Sequence, residues 1–402
     1  HMIRTLHIMG LAAAALTGFG SPGWAQSFPE PLAPETASVT PLAPAAPSWV
    51  WVNDSVAGLG GGRAMLFDAA EGRMLGMLNT GMAPFALDFS KDGRHIVAIE
   101  TYFSRGSRGA RTDVVAVYDA ATLTFSHEIE IPPKTYSGVP KKARTALLDD
   151  GRWLVTTNFT SGQSISVVDL ENRRFVGETE TAGCVSAYPV AERRFFMICG
   201  DGQLLDVSLD TTGKPASMER AGLLLDFARD LVFEHAVRKG AEWTFVTYRG
   251  RMIKVGLDAK GALKVGSPVA LGVVPEDENQ PLYETPGIKA HAIRWQVAGL
   301  QPIAASLDRN ELYVLAHQGP RHSMQDPSSE VFVFDLDRGT PLRQLKLAKP
   351  ATAIELTTGS APMLAAASEA AMSLEIYDPV TGKPLRSIEG AGLTPILLQV
   401  VR

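Results

Sequence analysis

The chain is 402 residues long with 45% hydrophobic and 20% charged residues, enough for a sizeable core and inconsistent with wholesale disorder. Its 38 basic and 43 acidic residues leave a net charge of −5, which argues against nucleic-acid binding. Two cysteines exclude a disulfide-dense scaffold and a four-thiolate zinc site. In chain order, the first element is an apolar run, Ile8 to Leu16, preceded by Arg4, the only charged residue of the first 25, and followed by Gly23-Trp24-Ala25 with small residues at both ends. This pattern predicts a secretory signal peptide over residues 1–25, cleaved near Ala25 and Gln26, and the run is too short to span a membrane comfortably. An exported chain of this kind belongs in a bacterial periplasm, where a disulfide persists. Residues 26–47 are rich in proline and alanine and form an arm that cannot build a core. No later stretch approaches a membrane span.

From Ser48 onward the apolar pattern alternates with a period of two between turn clusters, which predicts an all-β domain over residues 48–402. One unit recurs: an alternating strand that ends in Asp, then a turn. The Asp residues are Asp68, Asp119, Asp169, Asp210, Asp258, Asp335 and Asp378, at spacings of 51, 50, 41, 48, 77 and 43. Repeats of about 40–50 residues indicate the four-stranded blades of a β-propeller, here seven-bladed. The long spacing places an insertion between Val274 and Trp295. The first unit lacks a strand before Trp49–Asn53, and the segment 395–401 is a spare strand at the other end. The C-terminal strand is therefore expected to join the N-terminal blade as its innermost strand, closing the ring and removing free sheet edges.

Cys184 and Cys199 fall in one predicted blade. With strands Cys184–Tyr188 and Phe195–Cys199 and a turn centred on Ala191 and Glu192, the two cysteines oppose each other and are expected to form a cross-strand disulfide. Catalytic signatures are scarce. No Gly-x-Ser-x-Gly elbow or His-Glu-x-x-His occurs. The Gly58–Gly62 cluster joins two strands and opens no helix, so it reads as a hairpin loop rather than a phosphate cradle. His317 and His322 lack an obvious third metal ligand. The chain reads as a scaffold that shapes another chain's active site.

Three segments resemble one family. They are Thr101–Asp113 (TYFSRGSRGARTD), Leu123–Lys134 (LTFSHEIEIPPK) and Ala182–Leu205, which holds both cysteines. They are similar to the large (heavy, or α) subunit of the quinoprotein amine dehydrogenases, with a closer likeness to the aromatic than to the methylamine branch. The resemblance implies a seven-bladed propeller in a periplasmic α2β2 enzyme. It implies no catalytic residue, cofactor or metal in this chain: tryptophan tryptophylquinone and the catalytic base belong to the small subunit. The implied reaction is oxidative deamination of a primary amine to an aldehyde and ammonia, with electrons passing to a blue copper protein of the amicyanin or azurin type. Arg105, Arg108 and Arg111 are then either ion-paired within their blade or contacts to the small subunit. At the implied mouth of the substrate channel the family carries a bulky aromatic, whereas this chain has Ala57, Gly58 and Leu59. Near His322 the family often shows His-Lys, whereas Ser323 follows here. The alternative reading is a stand-alone periplasmic propeller for binding or assembly. A propeller enzyme of another class, such as a lactonase, would need an acid–base or metal cluster on the ring axis.

Overall fold

The computed structural model describes residues 38–402 except 57–60, 83–85, 136–140, 160–161, 182, 275–292 and 321–322. Residues 1–37, and with them the expected signal peptide and most of the arm, lie outside the described residues, as does most of the expected insertion. Pro41–Arg402 is one compact unit. Its described strands form seven antiparallel sheets arranged as the blades of a propeller.

The third strand of every blade is one of the seven repeats, and the physical reason for the repeated Asp is visible at each. The carboxylate accepts backbone N–H groups from the turn to the outermost strand: from Ala70 and Glu71 at Asp68, from Ala121 and Thr122 at Asp119, from Asn172 at Asp169, and from Thr212 and Lys214 at Asp210. Asp258, Asp335 and Asp378 do the same for Lys260 and Ala262, for Asp337 and Arg338, and for Val380 and Thr381. A short acidic side chain that reaches the N–H groups two to four residues onward replaces the ladder bonds lost at a turn.

The first blade closes the ring. Pro395–Gln399 pairs antiparallel with Trp49–Val56 in the register Trp51↔Gln399 and Val52↔Leu398, and Gly61–Asp68 and Arg73–Asn79 complete the sheet. Buried side chains reinforce this junction. Gln399 accepts the Leu87 N–H at 2.8 Å and donates to the Leu87 carbonyl at 2.8 Å, joining the inner edges of the first and second blades. Asn53 donates to the same Gln399 oxygen at 2.9 Å. Gln301 accepts the Leu398 N–H at 2.7 Å and donates to the carbonyls of Ile354 and Leu398, joining the sixth, seventh and first blades. Asp54, fully buried, accepts the N–H groups of Leu393 and Thr394 at the entry to the closing strand. A Cβ added at Gly392 would lie 2.9 Å from the Asp54 carboxyl carbon, so any side chain there would push this clasp apart.

Two blades depart from four regular strands. In the sixth, Glu311–Gly319 pairs inward with two short strands, Ile303–Ser306 and Arg294–Val297. In the fifth, Arg251–Leu257 pairs outward with both Leu263–Val265 and Val269–Ala270. The end of the proline-rich arm is laid on the propeller: the Leu42 N–H donates to the Ala121 carbonyl at 2.7 Å, and the Pro47 carbonyl accepts from the Thr358 N–H at 3.0 Å.

Cores form between neighbouring blades rather than within them. Val52, Phe67, Ala367 and Leu398 share one cluster across the first and seventh blades, and Tyr188, Phe196 and Phe245 share another across the fourth and fifth. Each blade therefore needs its neighbours, and the closing strand is expected to matter to all of them. Replacing Gln399 by Ala leaves Leu87 and Asn53 groups unpaired in a buried site. The expected loss is at least about 2 kcal/mol of unfolding free energy, read from the denaturant midpoint; an unchanged midpoint would contradict this role.

Candidate functional site

In each blade the chain runs outward from the axis, so the turns between second and third strands and the connections between blades lie on one face of the ring, here called the upper face. The described residues among the site candidates gather there. Val56 pairs with Gly61 at the upper end of the first blade. Ala57, Gly58 and Leu59, between them, lie outside the described residues. In the second blade, His95–Arg105 and Arg108–Asp119 form a hairpin much longer than its neighbours, buried along its lower part and exposed beyond Thr101. Arg105 pairs with Arg108 across a two-residue turn in which Gly106 has φ 71°, a conformation that suits glycine.

The three arginines separate into two roles. Arg111 is two residues from Asp113 on one strand, and so on the same side of it. Its Nε and Nη2 each donate to the Asp113 carboxylate at 2.8 Å, and Nη2 also donates to the Thr135 carbonyl at 2.5 Å. Asp113 is fully buried and also accepts from Thr101 and Thr135. This network fastens the hairpin to the segment that leads into the third blade. Arg105 and Arg108 are exposed at the hairpin tip, and neither forms an ion pair among the described residues. The same face presents large apolar side chains to solvent: Tyr102, Leu223, Ile293, Met372 and Leu393. Cationic side chains without partners beside exposed apolar groups are what a protein-docking surface needs.

Cys184 and Cys199 form a disulfide at the upper end of the fourth blade, with both residues buried. The strands are Cys184–Ala191 and Arg194–Cys199, longer than the sequence pattern suggested, and the turn is Glu192-Arg193 rather than Ala191-Glu192. Two register shifts between the turn and the cysteines restore the opposed positions, and Ser186, with φ 63°, lies in one of them.

The axis holds a polar cluster that sequence reasoning missed. A cavity of about 290 Å³ is lined by Asp88, Lys142, His235, Arg238, Glu355 and Arg402 among others. Glu355, nearly fully buried, receives Lys142 Nζ at 2.5 Å and Arg402 Nη2 at 3.1 Å. Arg238 is held by a two-pronged pair to Asp149 at 2.8 and 2.6 Å. Asp88 accepts Thr145 Oγ1 at 2.5 Å and the Leu147 N–H at 3.1 Å. Although part of it faces the cavity, its depth in the ring pushes the carboxyl up to about 6, against the lowering effect of those two bonds. Burial, together with the positive field of Lys142 and Lys141, pushes His235 down to about 3, so its ring is neutral. These residues come from five inner strands or their flanks and have no spacing in common, which is why no motif revealed them.

Other residues singled out from sequence have local roles. His317 Nε2 hydrogen-bonds with Ser323 Oγ at 3.0 Å, and His322 lies outside the described residues. Among the described residues no group of three or more His, Cys, Asp or Glu side chains could hold a metal ion. Among them, too, no helix is long and apolar enough to cross a membrane.

Residues 48–401 match the family described as methylamine dehydrogenase heavy chain (MADH). The chain belongs to this family. The heavy chain of Methylophilus methylotrophus is 28% identical over 334 residues, covering 82% of this chain and 78% of that protein. That of Paracoccus versutus is 27% identical over 339 residues, covering 83% and 74%. Among solved structures, Kuenenia stuttgartiensis hydrazine synthase overlays with a TM-score of 0.53 at 11% identity, covering 88% of this chain and 99% of that one. The β-propeller domain of Myceliophteria thermophila Cps50 (Swd1) gives 0.52 at 10% identity, covering 86% and 98%. At such identities the structural likeness speaks for the propeller fold alone. The family match supports a heavy subunit of an amine dehydrogenase; these relatives carry the methylamine name, not that of the aromatic branch.

The disulfide and the axial carboxyl each have a measurable consequence. Reducing the Cys184–Cys199 bond, or replacing both cysteines by Ala, is expected to lower stability by about 3 kcal/mol, measured by denaturant unfolding with and without reductant. Asp88 has a folded value above its ordinary 3.8, so its ionisation opposes folding above about pH 6, and that cost fades as pH falls toward 4. Asp88→Asn is expected to raise the melting temperature near pH 7.5 and to lose that advantage near pH 4; a constant difference across the range would contradict the assignment.

Proposed function

We propose that this chain is the large subunit of a periplasmic amine dehydrogenase that converts primary amines to aldehyde and ammonia, with a blue copper protein of the amicyanin or azurin type as electron acceptor. The observation that carries the reading is the family match across 48–401, and the upper face supports it. The small subunit docks on that face in an α2β2 assembly. Tryptophan tryptophylquinone, bound in the small subunit, would supply the oxidation.

This chain's own residues do the positioning. Arg105 and Arg108, carried on a hairpin that Arg111 and Asp113 brace, pair with carboxylates of the small subunit. Ala57, Gly58 and Leu59 border the substrate channel, where the absence of the family's aromatic leaves a wider or differently gated mouth. The amine is proposed at the level of its class. The likeness of Thr101–Asp113 to the aromatic branch and the methylamine names of the relatives point to different members of that class. In this reading a signal peptide over residues 1–25 exports the chain to the periplasm, and the arm over 26–47 leads the mature protein after cleavage.

Purification of the complex from its host tests this directly. The expected result is co-purification with a short, cysteine-rich chain whose quinone absorption is bleached by a primary amine. Isolation of the propeller alone, with no quinone band, would favour a stand-alone binding or assembly protein. The arginines give a second test. Arg105→Glu combined with Arg108→Glu is expected to weaken small-subunit association by at least about tenfold, most strongly at low salt, with the melting temperature of the isolated chain unchanged. Arg111→Ala is expected to lower that melting temperature instead. Unaltered association in the double variant would remove the tip from the interface.

A further inference from the structure

We propose that the axial cavity is a binding site for a small monocarboxylate, held by Arg402 and Lys142 beside His235. Three observations carry this. First, Glu355 is one carboxylate shared by two cations, Lys142 and Arg402, so the group carries an excess positive charge at the cavity wall. Second, both cations keep donors in reserve. Arg402 uses only Nη2, toward Glu355 and the Ala305 carbonyl, and Lys142 Nζ has one bond, to Glu355; no further bonds from either group occur among the described residues. Third, His235 is 6% exposed, lines the same cavity, and its Nδ1 has no hydrogen-bond partner among the described residues. A buried polar atom without a partner is costly unless a ligand or water satisfies it.

Of the remaining charged groups at the cavity, only Asp88 offsets this excess, and only while it is ionised, above about pH 6. Arg238 is neutralised by Asp149, and both Asp88 oxygens are already engaged by Thr145 and Leu147. Nearby, Glu234 is paired with Lys141 and Arg144. A carboxylate fits the remaining donors: a guanidinium edge and an ammonium suit its two oxygens, and the neutral imidazole adds no opposing charge beside them. A small apolar remainder suits the neighbouring Ile303 and Val400. Because the lining comes from the inner edges of the first, second, third, fifth, sixth and seventh blades, occupancy would link them and stabilise the closed ring. Protonation of Asp88 below about pH 6 removes the one negative charge opposite the cations. Binding therefore strengthens as pH falls toward 5.5.

The test uses the full chain with sodium acetate as probe, acetamide as its uncharged analogue, and sodium chloride to match ionic strength. Saturation-transfer NMR and thermal melting are the readouts. Acetate is expected to receive saturation and to raise the melting temperature, more so at about pH 5.5 than at about pH 7.5, while acetamide does neither. Arg402→Gln is expected to weaken acetate binding by about tenfold or more, the loss of one charge-assisted contact. Lys142→Gln should act in the same direction, and Lys91→Gln, at an exposed lysine that does not line the cavity, should have no effect. Equal responses to acetate and acetamide, or no response to acetate in the unmodified chain, would overturn the proposal without requiring any variant to fold. An undiminished acetate response in a folded Arg402→Gln chain would overturn it as well.

Discussion

The fold depends on a single junction, where a strand from the end of the chain completes a sheet begun near its start. Without Pro395–Gln399, the strand Trp49–Val56 would present an unpaired inner edge, and the first and seventh blades would lose a shared apolar cluster. The backbone ladder alone does not complete the junction. Gln399, Gln301, Asn53 and Asp54 extend amide and carboxylate groups across it, so that the first, second, sixth and seventh blades are bonded to one another at the axis. Buried amides are tolerated there because their main donors and acceptors are matched by backbone groups or by each other.

Closure also separates the molecule into regions with different chemistry. The lower face carries the Asp-capped turns, whose carboxylates serve their own backbone. The upper face carries the long arginine hairpin, the disulfide and five of the exposed large apolar side chains. The axis gathers ionisable groups from five blades around one cavity. In a family whose heavy chain works within an amine dehydrogenase, this arrangement suits a rigid platform. Rigidity comes from inter-blade cores and from the Arg111–Asp113 brace, which fixes the base of the hairpin that carries Arg105 and Arg108.

Much of this was legible in the sequence. The Asp-terminated repeat counted the blades correctly because the Asp does a local task, capping a turn, at the same point of every repeat. The unpartnered first strand and the spare last one implied their own pairing. The cysteine partners were found although the turn was misplaced by one residue, because the register shifts that separate turn from disulfide compensate for it. The broken inner strand of the sixth blade and the doubled outer strand of the fifth were not foreseen, since short apolar segments of irregular spacing carry no clear period.

What the sequence determined by itself is the part encoded by neighbours along the chain: strand alternation, turn chemistry, repeat number and family. What only the tertiary structure decided is the part encoded by neighbours in space. Arg105, Arg108 and Arg111 look alike in sequence, and only the position of Asp113 and Thr135 assigns one to the scaffold and leaves two exposed. Asp88, Lys142, His235, Glu355 and Arg402 look unrelated in sequence, and only the closed ring brings them to one cavity, where burial and mutual fields change what each can do.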